Sequence, residues 1–575
     1  MALALPPSRL KVALVTTPRS VRSGIGDYTR HLLPYLREHC DVELFVSDQH
    51  AGQEEDGEVL HPLSELQPKR YDQIQYQLGN ERHHAFMLPV IKAIGGTVMQ
   101  HDWVLFDLAV AAFPGLVRGG LKGHALALRE GGSQQLFTYL RSWRERRARR
   151  LMPAEAPELR GVEGELLWGW HAPQEDGCWT ADEAYVRLAG RGARRLRLSL
   201  SAEPPRRVSV SCDGAQLAEF GEWGGELELE LPPGDEHLVG LHTRELSVTA
   251  EQRKHGDIRR LGAFVKEIAF EGEQGWTALD LSQPVELPLR EVQLSDFRFE
   301  LPFNRSVVRF ADAFLVHSEY VKQNILRERN SLTPVGVLPH GAERRWNEEP
   351  RATTRARLEL QPDWADAFVV TSFGGVQRHK RVDRLMEAVA RARGQGADVR
   401  LLMAGGYHKE DFDPVATSRR LGIEAAVRVL GWVEEGVAWD CIQAGDVCVN
   451  LRGPTSGGTS GGIYQSLAFG RPVIATDAAE QAELPDDCIL KVPLGESEVD
   501  ELTRILVRLR EDADARTGLE AAARRYVDEE VHWSHTAALY AKHMASFPKA
   551  RVARKGLLAL ARERHAQREK ARAAS

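Results

Sequence analysis

Long apolar runs are missing from this chain. No stretch approaches the roughly 20 residues that a membrane-spanning helix needs. The opening MALALPPSRLKVALV has only a brief apolar run before Pro6 and does not read as a secretion signal. Cysteine is scarce as well. Six thiols (Cys40, Cys178, Cys212, Cys441, Cys448 and Cys488) are scattered over 575 residues with no CxxC pair. A disulfide framework and a zinc site are thereby disfavoured, and reduced thiols fit a cytoplasmic protein. Nor is there a basic excess: 75 Lys and Arg stand against 82 Asp and Glu, a net charge of −7. The bulk charge gives no means of neutralising the phosphates of a nucleic acid. The rest of the composition, 43% hydrophobic and 27% charged, is that of a globular protein too long for one core, and about three domains are expected.

The chain alternates between two textures. Lys11–Thr17 (KVALVTT) reads as a buried strand, followed by a helix-like DYTRHLLPYLREH. Asp41–Val46, Asp72–Gln77 and Gly96–His101 follow as short strands. Strands separated by helices imply a parallel sheet covered on both faces. From Glu155 to Leu289 the period becomes two: Leu196, Leu198 and Leu200, then Val208 and Val210, then Leu227, Leu229 and Leu231, with turns such as CDGA and PPGDEH between them. That pattern predicts an antiparallel β-sandwich. Its tryptophans, Trp168, Trp170, Trp179 and Trp223, suit either a sugar-stacking platform or core anchors. After it, α/β alternation resumes.

The predicted class is therefore α/β, two Rossmann-like domains facing a cleft, with an all-β sandwich inserted in the first. The divisions expected are 1–154 and 290–342 for the N-terminal domain and 155–289 for the insert. A polar linker follows over 343–365, then the C-terminal domain over 366–530 and a helix with a basic tail over 531–575. The tail, rich in Arg and Ala from Lys549, reads as a frayed helix or as a peripheral contact with an anionic membrane.

Within the second α/β unit, PTSGGTSGGIYQSLAFGRPVIATD (Pro454–Asp477) places a loop of small residues between the strand-like DVCVN and a helix starting near Gly461. Small residues let backbone N–H groups turn inward, and a helix N-terminus adds a positive dipole end. Together they suit a phosphate or pyrophosphate.

Four blocks resemble glycosyltransferase family 4, whose fold is GT-B. They are RSGIGDYTRHLLPYL (Arg22–Leu36), YQLGNERHHAFMLPVI through TVMQHDW (Tyr76–Trp103), TSFGGVQRHKRVDRLMEAV (Thr371–Val389), and the Gly-rich run with its lead-in RVLGWVEEGVAWDCIQAGDVCVNLRG. The insert is similar to an accessory domain within some of these enzymes. The resemblance implies metal-independent, cofactor-free transfer of a sugar from a nucleotide-diphosphate sugar, with retention of configuration. The acceptor would be a glycan or lipid-linked sugar in surface polysaccharide synthesis. The scattered thiols and the lack of a spanning stretch predict a cytoplasmic protein, peripheral on the inner face of the membrane at most.

By the same resemblance Lys380 is the cation for the donor diphosphate, with Arg378 or Arg381 beside it. Gly24 and Gly26 let donor or acceptor approach the backbone. Thr459, Ser460, Gly461 and Gln465 belong to the donor loop and its helix. His101 and Asp102 follow a strand end near the reacting sugar, His84 and Asn80 match more loosely, and His340 and Gly341 shape the cleft. One departure stands out. The two glutamates that many members carry around the Gly-rich loop are replaced by Gly457 and Gln465, and a variant position for the first is Gly458. Glu483, downstream, is the residue that could compensate. The same departure leaves a second reading, a catalytically silent glycan- or nucleotide-binding protein with the sandwich as its interaction module. DFD (Asp411–Asp413) and DAD (Asp512–Asp514) mimic a metal-binding motif but lie in polar segments and read as charged surface.

Overall fold

The computed structural model describes residues 9–549, apart from 22, 53, 56, 154–164, 167–168, 172, 175, 182, 190–192, 202–206, 213–214, 221–224, 234–235, 244–260, 273–274, 283–288, 408–411 and 496. The tail beyond Lys549, Trp168, Trp223, Asp411 and the side chain of Arg378 lie outside the described residues.

The N-terminal sheet contains β1 (Leu10–Val15), β2 (Cys40–Val46), β3 (Glu54–Glu55), β4 (Glu58–Pro62), β5 (Gln73–Leu78), β6 (Thr97–Gln100), β7 (Ala313–Val316) and β8 (Val335–Val337). Its order is β8-β7-β6-β5-β1-β2-β4-β3, parallel except for the edge pair β3–β4. The inner strands are buried on both faces; every residue of β6 and β7 is buried. Such strands need covering helices. The first is α1 (Gly24–His39), capped by the Ser23 hydroxyl, which accepts the Ile25 and Gly26 N–H groups. Ile25, Tyr28, Leu32 and Leu36, spaced by three and four, form its buried stripe. Also in this half lie α2 (Met87–Ile94), α3 (Phe106–Ala112), α4 (Gly120–Arg147, broken at Gly132) and α5 (Glu319–Glu328).

The C-terminal sheet contains β9 (Phe368–Phe373), β10 (Val399–Ala404), β11 (Val427–Val429), β12 (Val447–Asn450), β13 (Val473–Thr476) and β14 (Ile489–Val492), all parallel in the order β11-β10-β9-β12-β13-β14. Its helices include α6 (Val382–Gly394) and α7 (Gly461–Ala468). The last helix, α8 (Trp533–Ser546), crosses back to the N-terminal domain. There the Gln73 side-chain amide donates to the Met544 carbonyl at 3.1 Å, and Gln77 donates to the Tyr540 hydroxyl at 3.1 Å. The Ala342 N–H donates to the Val531 carbonyl and the Trp533 N–H to the Ala342 carbonyl, where the two crossing segments run side by side.

Between β6 and β7 the chain leaves and returns through an antiparallel pair, Leu151–Pro153 with Leu289–Glu291. Beyond that neck lie two antiparallel sheets. One contains Val208–Cys212, Glu236–Thr243 and Glu183–Ala189; the other contains Gly225–Glu230, Arg195–Leu200 and Phe264–Gly272. Leu196, Leu198 and Ile268 of one share a core with Val186, Val210 and Val239 of the other. Trp170 is buried and donates to the Tyr185 carbonyl at 2.9 Å, while Trp179 rests on Phe264 with ring centres 5.0 Å apart. Both act as anchors within the insert.

The stretch 343–365, expected as a linker, is packed onto the C-terminal domain. Arg355, on the helix Arg351–Arg357, is buried and donates to the carbonyls of Ala444, Trp364, Ala365 and Ala367 and to Asp446. A buried guanidinium requires that many acceptors, and Arg351, donating to the Gly445 carbonyl, and Arg357, paired with Asp440, add to its hold on the segment. Two parallel α/β domains facing a cleft constitute a GT-B fold.

Candidate functional site

An open parallel sheet leaves a crevice at the carboxyl ends of its strands where the strand order reverses. In the C-terminal sheet that place lies between β9 and β12. The loop after β9 ends in the turn Arg378–Lys380, and the loop after β12 runs through Arg452 to the start of α7 at Gly461. The topology therefore brings together Lys380 and the Gly-rich run, two of the sequence-predicted elements. It also adds a cation that sequence reading missed, Arg452. Lys380 is partly buried, and burial first, then the charge of Arg452, lowers its pKa to about 7. Burial and the charges of Arg452, Arg298 and Lys380 hold neighbouring His379 at about 3, so its ring is neutral.

The Gly-rich loop is held between two carboxylates. The Thr455 hydroxyl donates to Glu480 at 2.7 Å, and the Ser456 hydroxyl donates to Asp102, from the opposite domain, at 3.0 Å. The Val104 N–H donates to the Ser456 carbonyl at 2.8 Å, a second link across the cleft. Burial raises the pKa of both Asp102 and Glu480, against the pull of their hydrogen bonds and of Arg452. One oxygen of Glu480 and the Nε of Arg452 are buried without a hydrogen-bond partner among the described residues.

Gly457 has φ of +70°, and a Cβ there would lie 2.7 Å from that of Trp103; a Cβ on Gly458 would overlap the Asp102 carboxylate. The loop has no room for a side chain at either position while the two domains meet in this way. Where the sequence lacks a glutamate, Asp102 supplies a carboxylate from the other side of the cleft. Glu483 has a different place. Its carboxylate accepts the Glu319 and Tyr320 N–H groups at 2.7 and 2.5 Å, capping α5 of the N-terminal domain.

Of the other predicted donor residues, Thr459 and Ser460 line a cavity of about 170 Å³ together with His317, Tyr464, Glu480 and Tyr526. Gly461 begins α7 facing His340, and Gln465 is half-buried on the same helix. Arg381 is committed elsewhere: its guanidinium makes a forked ion pair with buried Glu498, with Nε donating at 2.6 and 2.7 Å. Gly24 is open on all sides. Gly26 packs on Thr17, with its N–H taken by Ser23.

On the N-terminal side His101 lies at the end of β6 in a cluster of rings. Tyr28 contacts His101, His317, His340 and Trp533 edge-on, at 4.7 to 5.4 Å between centres. His101 Nε2 lies 2.8 Å from Gln77 Oε1, and its Nδ1 lies 3.3 Å from His317 Nε2. Both ring nitrogens are thus engaged within the protein. Burial holds His101 and His317 well below the usual histidine range, with neighbouring histidines adding to the effect, and holds His340 at about 4. His340 stacks on Tyr464 of α7, ring centres 4.8 Å apart, and Trp533 leaves no space for a side chain on Gly341. Asn80 caps α3 by accepting the Asp107 N–H at 2.7 Å, and His84 is fully buried against Gly79. Asp413 and Asp512, from the DFD and DAD matches, each cap a helix N-terminus.

Five of the missed residues had signals. His317 ends a strand as His101 does. The alternation QIQYQ put glutamines 73, 75 and 77 on one face of a strand with no exposed face, which already implies buried polar partners. Arg452 immediately follows the strand that leads into the Gly-rich loop.

The family model described as glycosyl transferases group 1 matches residues 367–512, about a quarter of the chain, and covers β9 to the end of the C-terminal sheet. No curated protein matches the chain. Among solved structures, HepE of Anabaena in complex with UDP and glucose is 19% identical; the overlap covers 42% of this chain and 65% of HepE, with a TM-score of 0.37. WaaG, a glycosyltransferase involved in lipopolysaccharide biosynthesis, is 10% identical over 93% of this chain and 99% of its own, with a TM-score of 0.41. Sucrose-phosphate synthase from Thermosynechococcus elongatus is 20% identical over 44% of this chain and 62% of its own, with a TM-score of 0.35. These overlaps are too loose to transfer residue roles.

Proposed function

We propose that this protein is a nucleotide-sugar-dependent glycosyltransferase, with the donor held by the C-terminal domain and the acceptor by the N-terminal one. The observation that carries the reading is the meeting of Lys380, Arg452 and the start of α7 at the strand-order reversal of the domain that the family model matches. Breaking the bond between the anomeric carbon and the diphosphate leaves negative charge on the leaving group. Fixed cations and a helix N-terminus are suited to stabilise that charge. Lys380, near half-protonated at neutral pH when the site is empty, becomes fully charged against a diphosphate.

Asp102 faces the same loop from the acceptor side and provides a carboxylate for positive charge building at the anomeric carbon. His101, tied to Gln77 and His317, positions Asp102 rather than exchanging protons. We further propose retention of configuration and an acceptor that is a glycan or lipid-linked sugar of a surface polysaccharide, as the family resemblance implies. Donor turnover by wild-type protein and its loss in Lys380→Ala test the reading; unchanged turnover in the variant would remove Lys380 from the site.

One observation favours a silent binding protein instead. The 170 Å³ cavity at the loop is smaller than the roughly 300–1,000 Å³ of usual ligand pockets. In the transferase reading the Ser456–Asp102 and Glu483–α5 contacts open to admit the donor. Nucleotide-sugar binding without turnover, in the presence of lipid-linked acceptors, would favour the silent reading.

A further inference from the structure

The turn after β13, Ala479–Glu483, carries two adjacent side chains whose hydrogen bonding is incomplete. Glu480 and Gln481 are only 4% and 2% exposed, and both stand in the wall of the cavity beside the Gly-rich loop. One oxygen of Glu480 accepts the Thr455 hydroxyl at 2.7 Å, and the Gln481 amide oxygen accepts the Thr476 N–H at 3.1 Å. Those bonds fix both side chains. What remains is the second Glu480 oxygen and the Gln481 amide nitrogen, each buried without a partner among the described residues. Unpartnered buried atoms occur elsewhere, at Tyr28 and His84 for example, but no other such atom belongs to a residue lining this cavity. Here the two are complementary, an acceptor on one residue and a donor on the next.

Much of the remaining polar wall is already committed. Glu483 caps α5, both ring nitrogens of His317 are engaged, by the Leu338 carbonyl and by His101, and Tyr464 is hydrogen-bonded to Tyr526. A ligand for the open pair must therefore bring both a donor and an acceptor. Two adjacent hydroxyls on one ring do so, donating to the carboxylate and accepting from the amide. Space and charge narrow the choice. At about 170 Å³ the cavity is several times the roughly 30 Å³ share of one water, yet below the roughly 300 Å³ at which ordinary ligand pockets begin. That suits a single small ring without a bulky substituent. Two carboxylates in the wall, Glu480 and Glu483, disfavour a ring that is itself an anion.

We propose that Glu480 and Gln481 form a subsite for adjacent hydroxyls of one neutral, unsubstituted sugar ring, and that this pair sets which sugar the protein accepts. An N-acetylated ring exceeds the space, and a uronic acid meets the carboxylates. The inference rests on the transferase reading in taking that ring for the sugar being transferred, because Thr455 ties Glu480 to the loop assigned to the donor.

Saturation-transfer NMR of the full-length protein tests it, with free glucose, galactose and mannose and no nucleotide. Saturation of at least one of these is expected, and none of N-acetylglucosamine or glucuronic acid. Gln481→Glu keeps an acceptor for the Thr476 N–H and removes the unpaired donor, while Glu480→Leu removes the carboxylate. Each is expected to weaken hexose binding by about fivefold to tenfold, the size of one lost hydrogen bond; thermal melts check that the fold is intact. No hexose signal from wild-type protein, an unchanged signal in either variant, or equal signals from N-acetylglucosamine or glucuronic acid overturns the proposal. Nucleotide calorimetry on the same samples separates the two readings. Hexose binding without nucleotide binding removes the transferase reading and keeps the subsite, and nucleotide binding without hexose binding removes the subsite alone.

Discussion

The two sides of the cleft are built differently. His101, on the N-terminal side, has both ring nitrogens engaged, by Gln77 and His317, and burial keeps the ring neutral. Facing it, Arg452 and Glu480 each keep a buried polar atom without a partner, and Lys380 is held at about 7 by burial and by a neighbouring cation. Leaving such atoms unpaired costs roughly 1–3 kcal/mol each. Unpartnered buried atoms occur on both walls, the Tyr28 hydroxyl and His84 Nε2 on the first among them. The walls differ in charge instead: neutral histidines stand on one and the cations Lys380 and Arg452 on the other, which suits an anion.

Removing the central cation breaks that contrast most severely. Lys380→Ala is expected to lower donor turnover by about 100-fold to 1,000-fold, the usual cost of one group that stabilises developing charge; single-turnover kinetics measure it. Arg452→Gln is expected to weaken nucleotide binding by about tenfold to 100-fold, the size of one charge-assisted hydrogen bond. It carries a second signature. Since Arg452 lowers the Lys380 pKa, its removal raises that pKa.

The sign for binding follows from linkage. A bound diphosphate raises the Lys380 pKa, so affinity is greatest below about 7 and declines as pH rises through that value in wild-type protein. In Arg452→Gln the decline moves to higher pH. Calorimetry across roughly pH 6 to 9, which spans the lowered wild-type value and the start of the return toward the ordinary lysine range, separates the two curves.

The histidine wall is expected to affect stability rather than affinity. His101→Ala leaves the Gln77 amide oxygen unpaired and lowers unfolding free energy by about 1–3 kcal/mol, with nucleotide affinity unchanged; denaturant melts and calorimetry read the two. The neutral, buried histidines also impose a pH dependence. His84 has a folded-state value of about 4, below its ordinary 6.5, so stability is complete above 6.5 and declines as pH falls from there toward 4. For His84 alone the loss is about 3 kcal/mol. A melting temperature that does not fall between pH 7 and 5 contradicts the neutral wall. The smallest expected effect is at Gly458. Gly458→Ala pushes a methyl group into the Asp102 carboxylate and weakens closure, and Asp102→Ala in the same chain relieves the clash; the two changes should couple with opposite sign in a double-mutant cycle.

What was legible in the sequence follows the range of the interactions. Strand and helix alternation, the period-2 insert and the Gly-rich loop are local patterns, and each lies where its pattern placed it. The loop's partners were not legible. Asp102 meets Ser456 across 354 positions of sequence, and Glu483 caps a helix in the other domain. The polar stretch 343–365 reads as a linker because its composition is solvated in character. Its docking rests on Arg351, Arg355 and Arg357, and the acceptors of Arg355 are mostly backbone carbonyls that no sequence pattern displays. Arg381 is the converse. A cation beside Lys380 fits a phosphate clamp, yet buried Glu498, more than a hundred residues away, takes its guanidinium.

The most direct test of the central claim is titration calorimetry of wild-type protein and Lys380→Ala with UDP-, GDP-, ADP- and TDP-linked sugars, each followed for turnover. The account predicts that wild-type protein binds one of these donors and that Lys380→Ala loses that binding. Equal affinity in both proteins, or no binding of any donor by the wild type, would contradict it.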